Sequence, residues 1–315
     1  MHMNVCFDIP SLEQPVSLAL GTFDGLHLGH RHVLDAMQRM ARAHSLPEWV
    51  FTFQNHPAEI LRPELAPPLL SSWPEKLTLL GRAAELDGIV MLPFDQAFSH
   101  IQPEDFVRDV LVERLKVAAV AVGFNFHFGY RARGTPELLQ QLGREFGFEV
   151  EIVPACEAGG QPISSTRIRN LLTSGELAAA LSLLDQQFLI QGEVIRGQGI
   201  AAGVLGVPTA NLRLEHARKV LPPKGVYACR VRRQGEAQLE PAVMNLGLRP
   251  TFGGGSLSLE VYLMDFVGDL YGQTLEVYLS AFIRPEQRFD GPEALKTQIA
   301  QDIQQARRLL QSPRV

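Results

Sequence analysis

A chain of 315 residues exceeds what one hydrophobic core usually supports, so two domains are expected, and 46% hydrophobic with 20% charged residues supplies apolar material for both. A net charge of −5 without a basic stripe excludes a duplex-binding surface, because the groups Arg131 with Arg133 and Arg230 with Arg232 and Arg233 are too small to form one. Three scattered cysteines (Cys6, Cys156, Cys229), no signal-peptide pattern and no apolar run near ~20 residues predict a soluble cytoplasmic protein without disulfides, a thiolate zinc site or a membrane span.

In chain order, apolar runs at 16–20, 49–53, 88–92, 117–122 and 149–153 predict strands buried on both faces. Helices are expected between them at 30–43, 75–86, 103–115 and 136–146. The first places Val33, Leu34, Met37 and Met40 on one stripe, and the last opens with Pro136 at its first position. Such alternation predicts a Rossmann-like α/β domain: a parallel, doubly wound sheet with right-handed crossovers, binding ligands beyond the carboxyl ends of its strands. A polar stretch at 157–164 leads into STRIRNLL and a short helix at 176–184. After Asp185 the texture changes. Strands at 188–196, 225–233, 241–248, 256–264 and 273–283, then a closing helix at 292–310, predict a small antiparallel β-barrel. The boundary is set near Asp185, giving domains 1–185 and 186–315.

The segment VSLALGTFDGLHLGHRHVL, residues 16–34, ends a buried strand at Leu20 and starts a helix. Gly21 permits close backbone approach, Gly25 and Gly29 loosen the turn, and the helix N-terminus offers free N–H groups and a positive dipole end to an anion. His27 and His30 stand at its mouth, where imidazole N–H groups can donate to phosphate oxygens as charge builds. Asp24 either positions a ligand or caps the turn. A metal reading of His27, His30 and His32 is disfavoured, since no Cys or carboxylate is spaced to complete a shell. Further on, Ser165, Thr166 and Arg167 open another helix; alone they suit N-capping, and with the first motif they suit a triphosphate held between two helix N-termini. The loop VGFNFHFGYRARG, following the fourth strand, carries Asn125, Phe126 and Phe128 on the same rim of the sheet.

GTFDGLHLGH, FQNHP, VGFNFHFG, SSTRIR and PTANL, in this order, together resemble bifunctional riboflavin kinase/FAD synthetase. GVPTANL, LPPKGVYA, MNLGLRPTF, LEVYLMDFVGDLYG and FIRPEQRF resemble its riboflavin kinase barrel and separate it from other nucleotidyltransferases. The resemblance implies two reactions: ATP-dependent phosphorylation of riboflavin to FMN in the barrel, and adenylylation of FMN to FAD with release of pyrophosphate in the N-terminal domain. It implies ATP contacts from Gly21, Phe23, Asp24, His27, His30, Ser165, Thr166 and Arg167, and a flavin or nucleotide loop at Asn125, Phe126 and Phe128. In the barrel it implies an ATP and Mg²⁺ site at Gly206, Pro208, Thr209 and Asn211, with Thr209 and Asn211 on the metal and Glu260 as general base.

Two departures stand out. The loop at 200–203 (IAAG) lacks the basic residues usual before PTAN, which motivates one alternative, a monofunctional FMN adenylyltransferase; a non-catalytic flavin-sensing protein with a degenerate barrel is a second, from another class. Where relatives commonly carry Gly-Arg after the leucines, this chain has Asp185-Gln186, read as a linker variation of little catalytic meaning. The oligomeric state leaves no signature in the sequence.

Overall fold

The computed structural model describes residues 3–196, 209–214, 216, 218–249 and 256–311. They form two compact units, Met1–Ile168 with Leu183–Gln186, and Arg169–Ser182 with Gln187–Val315.

In the first unit, β1 (Asn4–Cys6), β2 (Val16–Leu20), β3 (Glu48–Phe53), β4 (Gly88–Leu92), β5 (Val117–Gly123) and β6 (Glu149–Val153) form one sheet in the order β1-β4-β3-β2-β5-β6. Every pairing is parallel. β2 and β4 are buried at each position, as strands covered on both faces must be. The one hydroxyl in β2, on Ser17, donates to the Met37 carbonyl at 2.9 Å and so costs the core little. Around the sheet run α1 (Leu28–His44), α2 (Ala58–Leu61), α3 (Trp73–Ala83), α4 (Gln96–Ser99), α5 (Pro103–Asp105) and α6 (Pro136–Phe146). α1 buries the expected stripe of Val33, Leu34, Met37 and Met40. α3 opens on a Ser72–Glu75 capping box, and α6 on the Thr135 side chain with Pro136 behind it.

The 103–115 segment departs from the expected α-helix. After α5 the backbone widens into a π-helical stretch, Phe106–Arg114, closed by a Leu115 N–H to Val110 carbonyl bond of 2.9 Å. The wider turn carries Phe106, Val107, Val110, Leu111 and Leu115 together into the core against the sheet. α3 also stops at Ala83 rather than Leu86, because Ala84 is already extended.

Strand order places the ligand crevice. From β2 the chain steps outward through β3 and β4, then returns to β5 on the other side of β2. The gap between the carboxyl ends of β2 and β5 is therefore the topological switch point, where open α/β sheets bind ligands. GTFDG leaves β2 there, and GFNFHFG leaves β5. A small hairpin, β7 (Glu157–Ala158) and β8 (Gln161–Pro162), follows β6.

Next come α7 (Ser165–Thr173) and α8 (Leu177–Ser182); the latter is shorter than expected because residues 183–186 leave the helix. β9 (Leu189–Ile195), β10 (Ala210–Leu214), β11 (Gly225–Arg233), β12 (Glu240–Arg249), β13 (Ser256–Leu263) and β14 (Thr274–Arg284) close an antiparallel barrel in the order β10-β13-β12-β11-β14-β9. β10, which the sequence pattern did not single out as a strand, completes the circle between β9 and β13. The helix α9 (Pro292–Gln311) lays Ile303, Ala306 and Leu310 on Val226, Ala228 and Val243 of the barrel wall. Arg284 grips the buried Asp302 of α9 with bonds of 2.8 and 2.9 Å.

Candidate active sites

The turn after β2 is held from several sides. The Asp24 carboxylate is buried and accepts from the Leu70 and Ser71 amides at 3.2 and 2.9 Å, while Ser71 Oγ accepts from the Gly25 amide at 3.0 Å. Asp24 thus ties the turn to the segment entering α3. Gly25 has φ +84, and a Cβ there would lie 2.7 Å from the Leu70 side chain, so glycine is required twice over. Two non-glycine residues of the turn, Phe23 and Leu26, also take left-handed values, φ +47 and +41. Each costs about 1–3 kcal/mol, which persists only where surrounding contacts over-determine the backbone.

The histidines cap the helix and stack. His27 is the N-cap of α1: its Nδ1 accepts from the His30 amide at 3.2 Å. An accepting Nδ1 puts the proton of the neutral ring on Nε2, leaving that atom as the donor. The two imidazoles lie face to face, centroids 3.6 Å apart, with the Phe23 ring 5.2 Å from His30. A Cβ on Gly29 would sit 3.1 Å from the His27 ring, so Gly29 makes room for the stack. Among the described residues no protein group accepts from the Gly29 amide, which leaves a first-turn N–H to an anion. The buried His30 Nδ1 also has no protein partner. Burial, together with the charges of His27 and Lys76, holds the His30 pKa well below its ordinary value, so the ring is neutral near pH 7.

Lys76, on α3, was not singled out from the sequence. It is 4% exposed, donates to the Phe53 carbonyl at 2.6 Å and lies within electrostatic reach of Asp24, Glu59 and His30. Burial pushes its pKa down to about 8 against the pull of Asp24 and Glu59. Its position carried a signal. Lys76 falls three, four and seven residues before Leu79, Leu80 and Ala83, on the buried stripe of α3.

The SSTR segment reaches the same turn. Ser165 Oγ donates to the Asp24 carbonyl at 2.9 Å. Ser164, rather than Ser165 or Thr166, caps α7, its Oγ accepting from the Arg167 amide at 3.2 Å. Thr166 is exposed, and Arg167 Nη1 donates to the Ala158 and Gln161 carbonyls of the β7–β8 hairpin, both at 2.9 Å. In the loop after β5, Phe128 belongs to the core and Phe126 stacks on it at 5.7 Å. Phe124, Asn125 and His127 are the exposed members; Phe124, 48% exposed, joins the candidate ligand surface without having been picked from the sequence.

In the barrel, residues from separate motifs meet in one row. Glu260 on β13 is opposite Asn211 on β10 and opposite Asn245 on β12. Leu259 and Val261 are buried on the other face, and Ser258 Oγ donates to Glu260 Oε1 at 3.1 Å. Asn245, in MNLGLRP, is the row's third polar member, legible only from register. Thr209 is half-buried two residues before Asn211. A hydroxyl, an amide and a neighbouring carboxylate are hard oxygen donors, a set that fits Mg²⁺ shared with phosphates and water. Gly206, Pro208 and the 200–203 loop lie outside the described residues. No group of three or more His, Cys, Asp or Glu with metal-site geometry occurs among the described residues.

Comparison with known proteins matches the same division. A family model for FAD synthetase covers residues 9–167, and one for riboflavin kinase covers 184–310. Curated relatives described as bifunctional riboflavin kinase/FMN adenylyltransferase include one from Escherichia coli (strain K12), 41% identical over 92% of this chain and 91% of that protein. Another is from Pseudomonas fluorescens, 39% identical with 92% and 91% covered. A crystal structure described as a macrolide-efflux protein from Streptococcus pneumoniae superposes with TM-score 0.81 at 30% identity, covering 94% of this chain and 95% of that one. No helix among the described residues is long and apolar enough to cross a membrane. With both family models in chain order and relatives matching over nearly their whole length, the chain belongs to the bifunctional riboflavin kinase/FMN adenylyltransferase family.

Proposed function

We propose that residues 1–185 carry FMN adenylylation and 186–315 riboflavin phosphorylation, so that the chain converts riboflavin to FMN and FMN to FAD. In the first reaction an FMN phosphate oxygen attacks the α-phosphorus of ATP, the α–β bridge breaks, and pyrophosphate leaves. His27 and His30 donate to the phosphates at the α1 N-terminus, joined by the Gly29 amide. Lys76 adds positive charge near them, and Ser165 reaches the same turn with Thr166 and Arg167 following it on α7. Asn125 and Phe124 face the flavin or the nucleotide. Phosphoryl transfer needs positioning and charge neutralisation more than covalent help, and this arrangement supplies both.

In the barrel, Glu260 takes the proton of the ribityl 5′-hydroxyl as its oxygen attacks the γ-phosphorus, and ADP leaves. Thr209 and Asn211 would hold Mg²⁺, which neutralises phosphate charge. The row Asn211–Glu260–Asn245 carries this reading, since it sets the expected base beside the expected metal ligand. Free cysteines at 6, 156 and 229 support a cytoplasmic setting. Incubation with riboflavin and Mg-ATP, with products separated by HPLC, tests the scheme. FMN is expected first and FAD after it. FAD from supplied FMN, with no FMN from riboflavin, would reduce the chain to a monofunctional adenylyltransferase.

A further inference from the structure

The link between the two activities is not a passive linker. Residues Leu183–Gln186 belong to the first compact unit, although the helix before them and the barrel strand after them belong to the second. This short strap lies antiparallel along the phosphate turn. The Leu28 amide donates to the Leu183 carbonyl at 3.0 Å, and the Asp185 amide donates to the Leu26 carbonyl at 3.1 Å. Between those two bonds His27 and Leu184 face each other as an isolated bridge. In a pair flanked by bonds in this way the side chains are at their closest approach. The Leu184 and His27 side chains therefore leave neighbouring backbone positions on the same side, and both residues are buried. The strap is anchored at its far end by Gln186 Nε2 on the Leu79 carbonyl of α3, at 3.0 Å.

We propose that Leu183–Gln186 is a positioning element of the adenylyl-transfer site, fixing the His27 backbone on both sides. Two features of the turn call for such a brace. Leu26 has a left-handed backbone without being glycine, and its carbonyl is the one the Asp185 amide holds. Leu28 is the first residue of α1, so the Leu183 carbonyl occupies one first-turn amide while Gly29 keeps its own for the ligand. Asp185 and Gln186 thus take part in holding the site through a backbone amide and an amide side chain.

The inference rests on the adenylyltransferase reading, and full-length variants separate the two. Asp185→Pro deletes the donor to Leu26 and suits an extended Leu184 before it. Leu184→Ala removes the side chain on the His27 side of the strap, and Leu184→Ile restores its bulk. FAD formation from FMN and ATP, riboflavin phosphorylation, and amide exchange at Leu28 are measured on each preparation. Asp185→Pro and Leu184→Ala are expected to lower kcat for FAD at least about tenfold, with KM for FMN and riboflavin phosphorylation within about twofold of the parent. Leu184→Ile should return most of the rate, and Asp185→Pro should speed exchange at Leu28. Adenylylation within twofold of the parent in both variants, a matching loss of both activities, or a Leu184→Ile protein as slow as Leu184→Ala would overturn the role. A parent protein that makes no FAD from FMN would instead remove the adenylyltransferase reading itself.

Discussion

At the scale of single residues, the buried lysine within electrostatic reach of His30 is open to titration. Burial lowers the Lys76 pKa to about 8, with Asp24 and Glu59 pulling it back up. If its charge assists the phosphates, kcat/KM for FAD formation should decline as pH rises through about 8. Lys76→Arg, which stays charged, should carry the plateau to higher pH. Riboflavin phosphorylation, measured on the same preparation, should lack this limb. The sign for stability is opposite. The fold favours the neutral amine, so the linked stability is fully present above the unfolded pKa of about 10.4. It is lost as pH falls through the folded value of about 8. His30 does not contribute a limb near neutrality, because burial already holds it neutral there. Motif chemistry singled out His27 and His30 in the sequence, while Glu260 was singled out only through the family resemblance. Lys76 was hidden because a lysine in a helical pattern reads as solvated surface unless its place on the apolar stripe is noticed. Asp24 stayed ambiguous because its partners, Leu70 and Ser71, are far away in the chain.

At the scale of elements, the extent of β2, β4, β6, β11 and α6 followed from apolar runs bounded by turn or capping residues. Those signals are local. β10 and the π-helical stretch escaped because their causes are not: the strand exists through pairing with β9 and β13, and the widened turn through packing against the sheet. The seating of α9 on the barrel depends likewise on a distant pair. Arg284 holds Asp302 through two donors, and Gln298 adds a bond of 3.0 Å to the same carboxylate. Asp302 is 4% exposed at its side chain and Arg284 17%, so removing the arginine strands a buried charge. Arg284→Ala should cost about 3 kcal/mol. The barrel's thermal transition should then fall by roughly 10 °C, read by calorimetry on the whole chain. Mutating both partners to apolar residues should recover much of that loss, because the penalty lies in the unpaired carboxylate.

At the scale of the whole molecule, two chemistries share one chain with separate machinery. Both use ATP, yet the groups proposed to meet its phosphates differ in kind. The N-terminal unit offers amides and imidazoles at a helix end, whereas the barrel offers a carboxylate beside neutral oxygen donors. The order of motifs disclosed this division. The return of Leu183–Gln186 to the first unit could not be seen from it, since a four-residue excursion leaves no periodic trace. The division makes the two sites separable by substitution. His30→Ala removes one phosphate donor from the stacked pair and should lower FAD formation about 10²–10³-fold. Riboflavin phosphorylation should continue at the parent rate. Glu260→Gln keeps the shape of the barrel row but cannot accept the hydroxyl proton, and should lower phosphorylation about 10²–10⁴-fold. FMN supplied to that variant should still be adenylylated. The decisive comparison starts both variants on riboflavin with Mg-ATP: His30→Ala should stop at FMN, Glu260→Gln should leave riboflavin unchanged, and an equimolar mixture of the two should make FAD. Failure of the mixture, with each remaining activity intact alone, would mean that FMN does not pass between chains through solution and that the two sites work as one.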